Sequence, residues 1–180
     1  LVSYTRFATG STIPSGSNFP GSLDTEDDLL LMIDSDIVFN DDEIIRMCRR
    51  AMERDIVGGL YWTRTPEGAR PACYLDRGVR VVIGSDTLVP MLYPAGGCFA
   101  AHRRVFERLA KDLPLCNKDD LHYYPFFAKM IVEDPDNGTI DLSEDWAFGE
   151  RARRAGFDIW LDPSVRLGHI GTTVYTADNA

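Results

Sequence analysis

The stretch Leu30-Leu31-Met32-Ile33-Asp34-Ser35-Asp36 joins a continuous apolar run to two carboxylates one residue apart. From Leu29 to Ile33 the run has the length of one strand, and unbroken apolarity is the mark of a strand covered on both faces. It stops abruptly at Asp34-Ser35-Asp36, and the carboxyl ends of strands are where open α/β sheets bind ligands. Two carboxylates in such a turn repel each other. A cation relieves that repulsion, and hard oxygen ligands suit Mg²⁺ or Mn²⁺. Such an ion can bridge a diphosphate and stabilise it as a leaving group. The competing reading is a polar turn beside a helix cap, since short acidic motifs are common.

Working outward, Asn40 is a good N-cap, and Asp41, Asp42 and Glu43 put negative charge in the first turn, where the helix dipole favours it. Ile44, Ile45, Cys48, Ala51 and Met52 recur at helical spacing, which predicts a helix over 41–54. Asp55 to Tyr61 reads as a second strand, so the unit is strand–helix–strand, with parallel pairing expected. Upstream, Ser11 to Ser22 is rich in Gly, Ser and Pro and reads as loop. Downstream, 63–80 is loop-like, 79–83 is an edge or hairpin strand, and 93–101 is a buried strand entered through a glycine turn. A helix follows over 103–109, then a long polar and aromatic surface loop over 114–139. Ser143 caps a helix that Gly156 stops. Phe157 to Leu161 alternates as a strand, Asp162-Pro163 turns the chain, and Val165 to His169 is a further short strand.

At 180 residues the chain is expected to be a single domain, 1–180, with 1–27 loop-like and its N-terminal part incomplete. It opens on Leu1, as a fragment, a processed chain or an excised domain would. A formal charge of −9 argues against a nucleic-acid polymer as partner, which would want a basic face. Cys48, Cys73, Cys98 and Cys116 are scattered without a C-x-x-C pair, so reduced, mostly buried thiols are expected. No apolar stretch approaches the ~20 residues of a membrane span, and a cytoplasmic location is the default.

Two further places carry candidate chemistry. In Ser143-Glu144-Asp145-Trp146, Asp145 can act as a general base facing a cleft, although acids in a first helical turn are also ordinary dipole partners. His169, in Arg166-Leu167-Gly168-His169, can serve as a neutral third ligand to Mn²⁺ or as a structural hydrogen-bonder. His102 and His122 have no partner at helical spacing.

Taken in order, these segments resemble a GT-A fold, family-2-like nucleotide-sugar glycosyltransferase over roughly 28–171. The resemblance rests on Leu-Met-Ile-Asp-Ser-Asp-Ile-Val-Phe at 31–39, Asp-Ile-Val-Gly-Gly-Leu-Tyr at 55–61 and Ala-Gly-Gly-Cys-Phe-Ala-Ala at 95–101. Ser-Glu-Asp-Trp-Ala-Phe at 143–148 and the run closing on Gly168-His169 complete it. It implies an α/β, mostly parallel sheet with helices on both faces and a reduced N-terminal part. It also implies a metal-dependent enzyme moving a sugar from a nucleotide-diphosphate donor to a carbohydrate or other hydroxyl acceptor. By the same resemblance Asp36, His169 and Asp34 hold Mn²⁺ or Mg²⁺, and Asp34, Asp36, Gly96 and Gly97 meet the donor. Asp145 is then the catalytic base, with Glu144 beside it. At the front, Ser17-Asn18 falls where relatives carry an Arg-Asn pair, and the arginine is missing.

Two rival readings stand beside it. One is an inactive or truncated glycosyltransferase-like binding domain. The other follows from a likeness to the D-x-D start of haloacid-dehalogenase-like phosphatases, with Asp34 as nucleophile and Asp36 as general acid. That class also needs a lysine and a late acidic pair at a strand end, whereas here the late acids open a helix.

Overall fold

The computed structural model describes residues 28–63, 70–118, 121–134, 137–171 and 174–176. The loop expected over 11–22 and the Ser17-Asn18 pair lie outside the described residues. In chain order the elements are β1 (Leu29–Ile33), β2 (Ile37–Val38), α1 (Asp41–Arg54), β3 (Ile56–Leu60), β4 (Tyr74–Leu75), β5 (Val89–Tyr93), β6 (Cys98–His102) and α2 (Arg103–Leu109). They continue with β7 (Cys116–Lys118), β8 (Leu121–Tyr123), β9 (Met130–Asp134), β10 (Gly138–Leu142), α3 (Glu144–Arg154), β11 (Ile159–Arg166), β12 (Gly168–Ile170) and β13 (Val174–Tyr175).

The central sheet has six strands in the order β1-β6-β3-β11-β5-β4. Pairing is antiparallel for β1–β6, β6–β3, β11–β5 and β5–β4, and parallel for β11–β3. The expected mostly parallel GT-A sheet is therefore not what the chain builds. β1 and β3 do run in the same direction across α1, but β6 lies between them and bonds to both, with Leu31 opposite Ala100 and Val57 opposite the same residue. The remaining strands form smaller units: β13-β12-β2, the hairpin β9–β10 and the hairpin β7–β8.

Alternation along the central strands sends side chains to two cores. On one face Leu30, Ile56, Phe99 and Leu161 meet Val105 and Phe106 of α2 and Phe148 of α3. On the other, Leu31, Val57, Cys98 and Val165 meet Ile44, Met47, Cys48 and Ala51 of α1. Each fully buried side chain of this size contributes roughly 1.5–3 kcal/mol from burial. α1 forms where its periodicity and cap predict, with the Asn40 side chain accepting the Asp42 N–H at 2.9 Å. At its other end Asp55 takes a positive φ of 69°, and its carboxylate pairs with Arg104.

Several local expectations are corrected. Residues 79–83 form no strand; the strand there is β5, Val89–Tyr93. The stretch expected as one long surface loop carries two hairpins and buries Phe126 and Phe127. Asp162-Pro163 does not turn the chain, because β11 runs through it with a register shift between Asp162 and Arg166. Asp162 is fully buried there, held by Arg50 of α1 at 3.0 Å and by the Ser164 N–H and hydroxyl at 3.0 and 2.6 Å. The four cysteines are unpaired; Cys48 and Cys98 are buried, and Cys73 and Cys116 partly so. Among the described residues no helix is long and apolar enough to cross a membrane.

Candidate functional site

The chain leaves β1 through the turn at Asp34-Ser35-Asp36, which the backbone fastens at both ends. Asp34 N–H donates to the Gly97 carbonyl at 2.8 Å, and the Asp34 carbonyl accepts the Ile37 N–H at 3.1 Å. Beyond it, β2 pairs with β12 so that Ile37 lies opposite His169 and Val38 opposite Gly168. The Ile170 N–H reaches back to the Asp36 carbonyl at 2.8 Å. The early acidic turn and the late Gly168-His169 pair, far apart in sequence, are thus joined by a small antiparallel sheet.

His169 is oriented by one ring nitrogen and faces Asp36 with the other. Its Nδ1 lies 2.7 Å from the Trp62 carbonyl, which can only accept, so Nδ1 carries the proton of that bond. Nε2 then faces Asp36 Oδ2 at 3.5 Å, with the His169 side chain 13% and the Asp36 side chain 32% exposed. When the ring is doubly protonated this is an ion pair. Tyr61 packs edge-on against His169, ring centroids 5.3 Å apart.

Tyr61 links this pair to the glycine turn. Its hydroxyl accepts the Gly97 N–H at 2.8 Å in a buried bond. Burial pushes the phenol well above its usual range; the Gly97 bond pulls it back, and the Asp145 and Asp34 carboxylates push it up again. The glycines are required here for close approach: a Cβ at Gly97 would lie 2.5 Å from the Tyr61 hydroxyl oxygen, and one at Gly96 would lie 3.3 Å from Asp145 Cβ.

Asp145 closes the corner from the first turn of α3. Its Oδ2 accepts the Gly96 N–H at 2.9 Å, and its Oδ1 accepts the Trp146 N–H at 2.9 Å and the Ser143 hydroxyl. Ser143 thus serves the helix start through Asp145, since its own side chain makes no cap bond. Both oxygens of the expected catalytic base are engaged, and the geometry gives Asp145 a positioning role for the glycine turn. Glu144 points elsewhere, 3.7 Å from the Lys129 ammonium.

The sequence-predicted residues Asp34, Asp36, Gly96, Gly97, Asp145 and His169 therefore fall in one neighbourhood, with Glu144 to one side. The metal expectation does not hold in the form stated. Among the described residues no group of three His, Cys, Asp or Glu side chains is placed to hold an ion, so metal-dependent sugar transfer by Asp34, Asp36 and His169 is not supported. Sequence reasoning missed Tyr61 and the Trp62 carbonyl, whose roles arise only when β3 lies between β6 and β11. His102 is a cap: its Nδ1 accepts the Arg104 N–H at 3.1 Å, and burial and the Arg104 charge hold its pKa below the usual value.

Comparison with known proteins corrects the family reading as well. No protein-family profile matches the chain, and no curated protein matches it. Among solved structures the chain is similar to the crystal structure of A197 from STIV, with a TM-score of 0.52 and 16% identity. The match covers 86% of this chain and 64% of that one, so the chain spans less than two thirds of the length of the protein it matches. At that identity the likeness extends to the fold alone. The resemblance to a GT-A glycosyltransferase, and with it the enzyme class, is supported neither by these matches nor by the largely antiparallel sheet.

Proposed function

We propose that this chain is a binding domain for a hydroxyl-rich ligand of the carbohydrate class, without a transfer step. Its site is the corner formed by Asp34–Asp36, Gly96–Gly97 and the start of α3. The observation that carries the reading is the Asp36–His169 pair. Nδ1 of His169 is committed to the Trp62 carbonyl, which fixes the ring with Nε2 3.5 Å from Asp36 Oδ2. Exposed Asp34 adds a further carboxylate to this corner. An acceptor-rich corner calls for a ligand rich in donors, and adjacent hydroxyls offer two donors at once.

The test is an amide NMR titration with hexoses and hexitols, with Mn²⁺ and Mg²⁺ as separate arms. Saturable shifts at Asp36, Gly96, Gly97 and His169 are expected with the polyols, and Asp36→Asn or His169→Ala should remove them. If those amides stay still at concentrations on the order of 10 mM, a range in which weak sites still fill, the proposal is wrong. Shifts with the cations but none with polyols would also reject it.

A further inference from the structure

β11 holds three more residues than its ladder with β3 uses. Asp162 lies opposite Gly59 and Arg166 opposite Leu60, so β11 takes four steps where β3 takes one. The excess, Pro163-Ser164-Val165, folds over Gly59, where a Cβ would lie 2.6 Å from Leu167 Cδ1 and 2.9 Å from Val165 Cγ1. Backbone bonding resumes at Leu167, whose N–H donates to the Leu60 carbonyl at 2.8 Å. Two residues beyond each of these, His169 Nδ1 meets the Trp62 carbonyl. The length of the bulge therefore decides which side chain arrives there, a common use of bulges beside sites. Without it Arg166 would take the place of His169, and His169 would lie about 10 Å further along the strand.

A polar network closes the bulge. Asp162 Oδ1 accepts the Ser164 N–H at 3.0 Å and the Ser164 hydroxyl at 2.6 Å, the two-residue turn that an aspartate side chain makes with its own backbone. Arg50 of α1 stands 3.0 Å from the same oxygen, and Arg46, one turn earlier, donates to the Ser164 hydroxyl at 3.0 Å. From the other side the Gly84 N–H donates to the Pro163 carbonyl at 2.8 Å, and Arg50 donates to Asp86 at 3.2 Å. As a source of stability the central pair is poorly built. Asp162 is fully buried, and among the described residues neither its Oδ2 nor Arg50 Nη1 finds a hydrogen-bond partner. A buried pair with orphaned atoms repays little of its desolvation, and apolar side chains of like volume commonly do as well. Apolar side chains cannot fix a bulge of one length, however, because they give Ser164 no acceptor.

We infer that Arg50, Asp162 and Ser164 are positioning residues for the Asp36–His169 corner: they hold the bulge at one length and so deliver His169 to Trp62 and Asp36. The inference rests on the proposed function only in treating this corner as the site, and the placement of His169 is measured without ligand. The plainer role of the network is to pin α1 to β11. That role predicts lower stability when the network is lost, with His169 unmoved for as long as the chain is folded.

The test is NMR of the full chain, with urea melts on the same samples. In the wild type the His169 ring is expected as the Nδ1–H tautomer, with through-space contacts to the Tyr61 ring and, across the strands, to Ile37. Arg50→Met/Asp162→Leu is expected to stay cooperatively folded and to lose both contacts. Ser164→Ala removes one hydroxyl at little cost in volume and decides the case in which the double variant does not fold. Its Leu167 and Ile170 amides are expected to exchange about tenfold faster, the effect of one lost hydrogen bond, with those of β6 unchanged. A folded double variant that keeps both His169 contacts overturns the inference. So does Ser164→Ala exchange that is unchanged at Leu167 and Ile170, or accelerated equally in β6. Polyol shifts that persist in a double variant whose His169 has moved uphold the positioning role and overturn the acidic corner. Polyol binding absent from the wild type, with His169 displaced only in the variants, overturns the proposed function and upholds the positioning role.

Discussion

Replacing Gly97 by alanine should damage the site more than any other single methyl group added to it. Gly97 is buried and is not among the glycines with positive φ, so the backbone itself accepts alanine. The obstacle is Tyr61: the new Cβ would lie 2.5 Å from its hydroxyl oxygen and 2.6 Å from Cζ, far inside van der Waals contact. Tyr61 is 6% exposed and braced against His169, so it cannot swing freely away. Overpacking of this kind costs about 1–3 kcal/mol, and loss of the 2.8 Å Gly97–Tyr61 hydrogen bond adds about 0.5–1.5 kcal/mol. Together they predict a loss of about 2–4 kcal/mol, or a fall in Tm of roughly 5–15 °C at this chain length. Urea denaturation of Gly97→Ala, Tyr61→Phe and the double variant measures it. Because both single changes remove the same bond, the double should cost clearly less than their sum. Gly96→Ala, whose Cβ meets Asp145 at 3.3 Å, should cost less than Gly97→Ala. A Gly97→Ala loss below about 1 kcal/mol, or strict additivity in the cycle, refutes the packing argument.

Other perturbations test other parts. Asp162→Ala would leave the Arg50 guanidinium with the exposed Asp86 as its carboxylate partner and should cost about 1.5–3 kcal/mol in urea melts; an Arg50→Met/Asp162→Leu pair should recover most of it. Asn40→Ala removes the α1 cap and should cost about 1 kcal/mol by the same measurement. Burial raises the Cys48 thiol from 9.0 to about 11 and raises Cys98 as well, so both are neutral in the fold where an unfolded chain would ionise. The stability this represents is complete below pH 9 and is lost as pH rises toward 11. Tm should therefore drop across that window, less steeply in Cys48→Ala, and a flat profile there contradicts the assignment.

The elements that the sequence made legible are those set by local rules. α1 follows from a 3.6-residue apolar period and Asn40, and α2 begins at Arg103 as expected. β1 was readable as a strand covered on both faces, yet apolar continuity says nothing of which strand lies beside it. The helix between β1 and β3 points to a parallel pair, but β6, equally apolar at Cys98–Ala101, takes the intervening place. Asp162-Pro163 looked like a turn because an acid beside a proline usually is one. Here Arg50, distant in sequence, neutralises the acid and lets the strand run on. The candidate site was legible as a set of residue types, and most of them do converge. Its chemistry was not, because it depends on which nitrogen of His169 the Trp62 carbonyl claims and on how many donors already occupy Asp145.

The position of β6 also governs the order in which the molecule can be made. As the chain leaves the ribosome, β1, α1 and β3 emerge before β6, the strand that joins them, since Leu29 waits for His102 and Ile56 for Ala101. The opposite edge of β3 waits longer still, for Ile159 of β11. A nascent chain holding only the first two central strands exposes apolar, unpaired edges, the condition in which chaperones bind and chains aggregate. Closure of the sheet is therefore a late, long-range event, and folding is expected to be slow for a chain of this size.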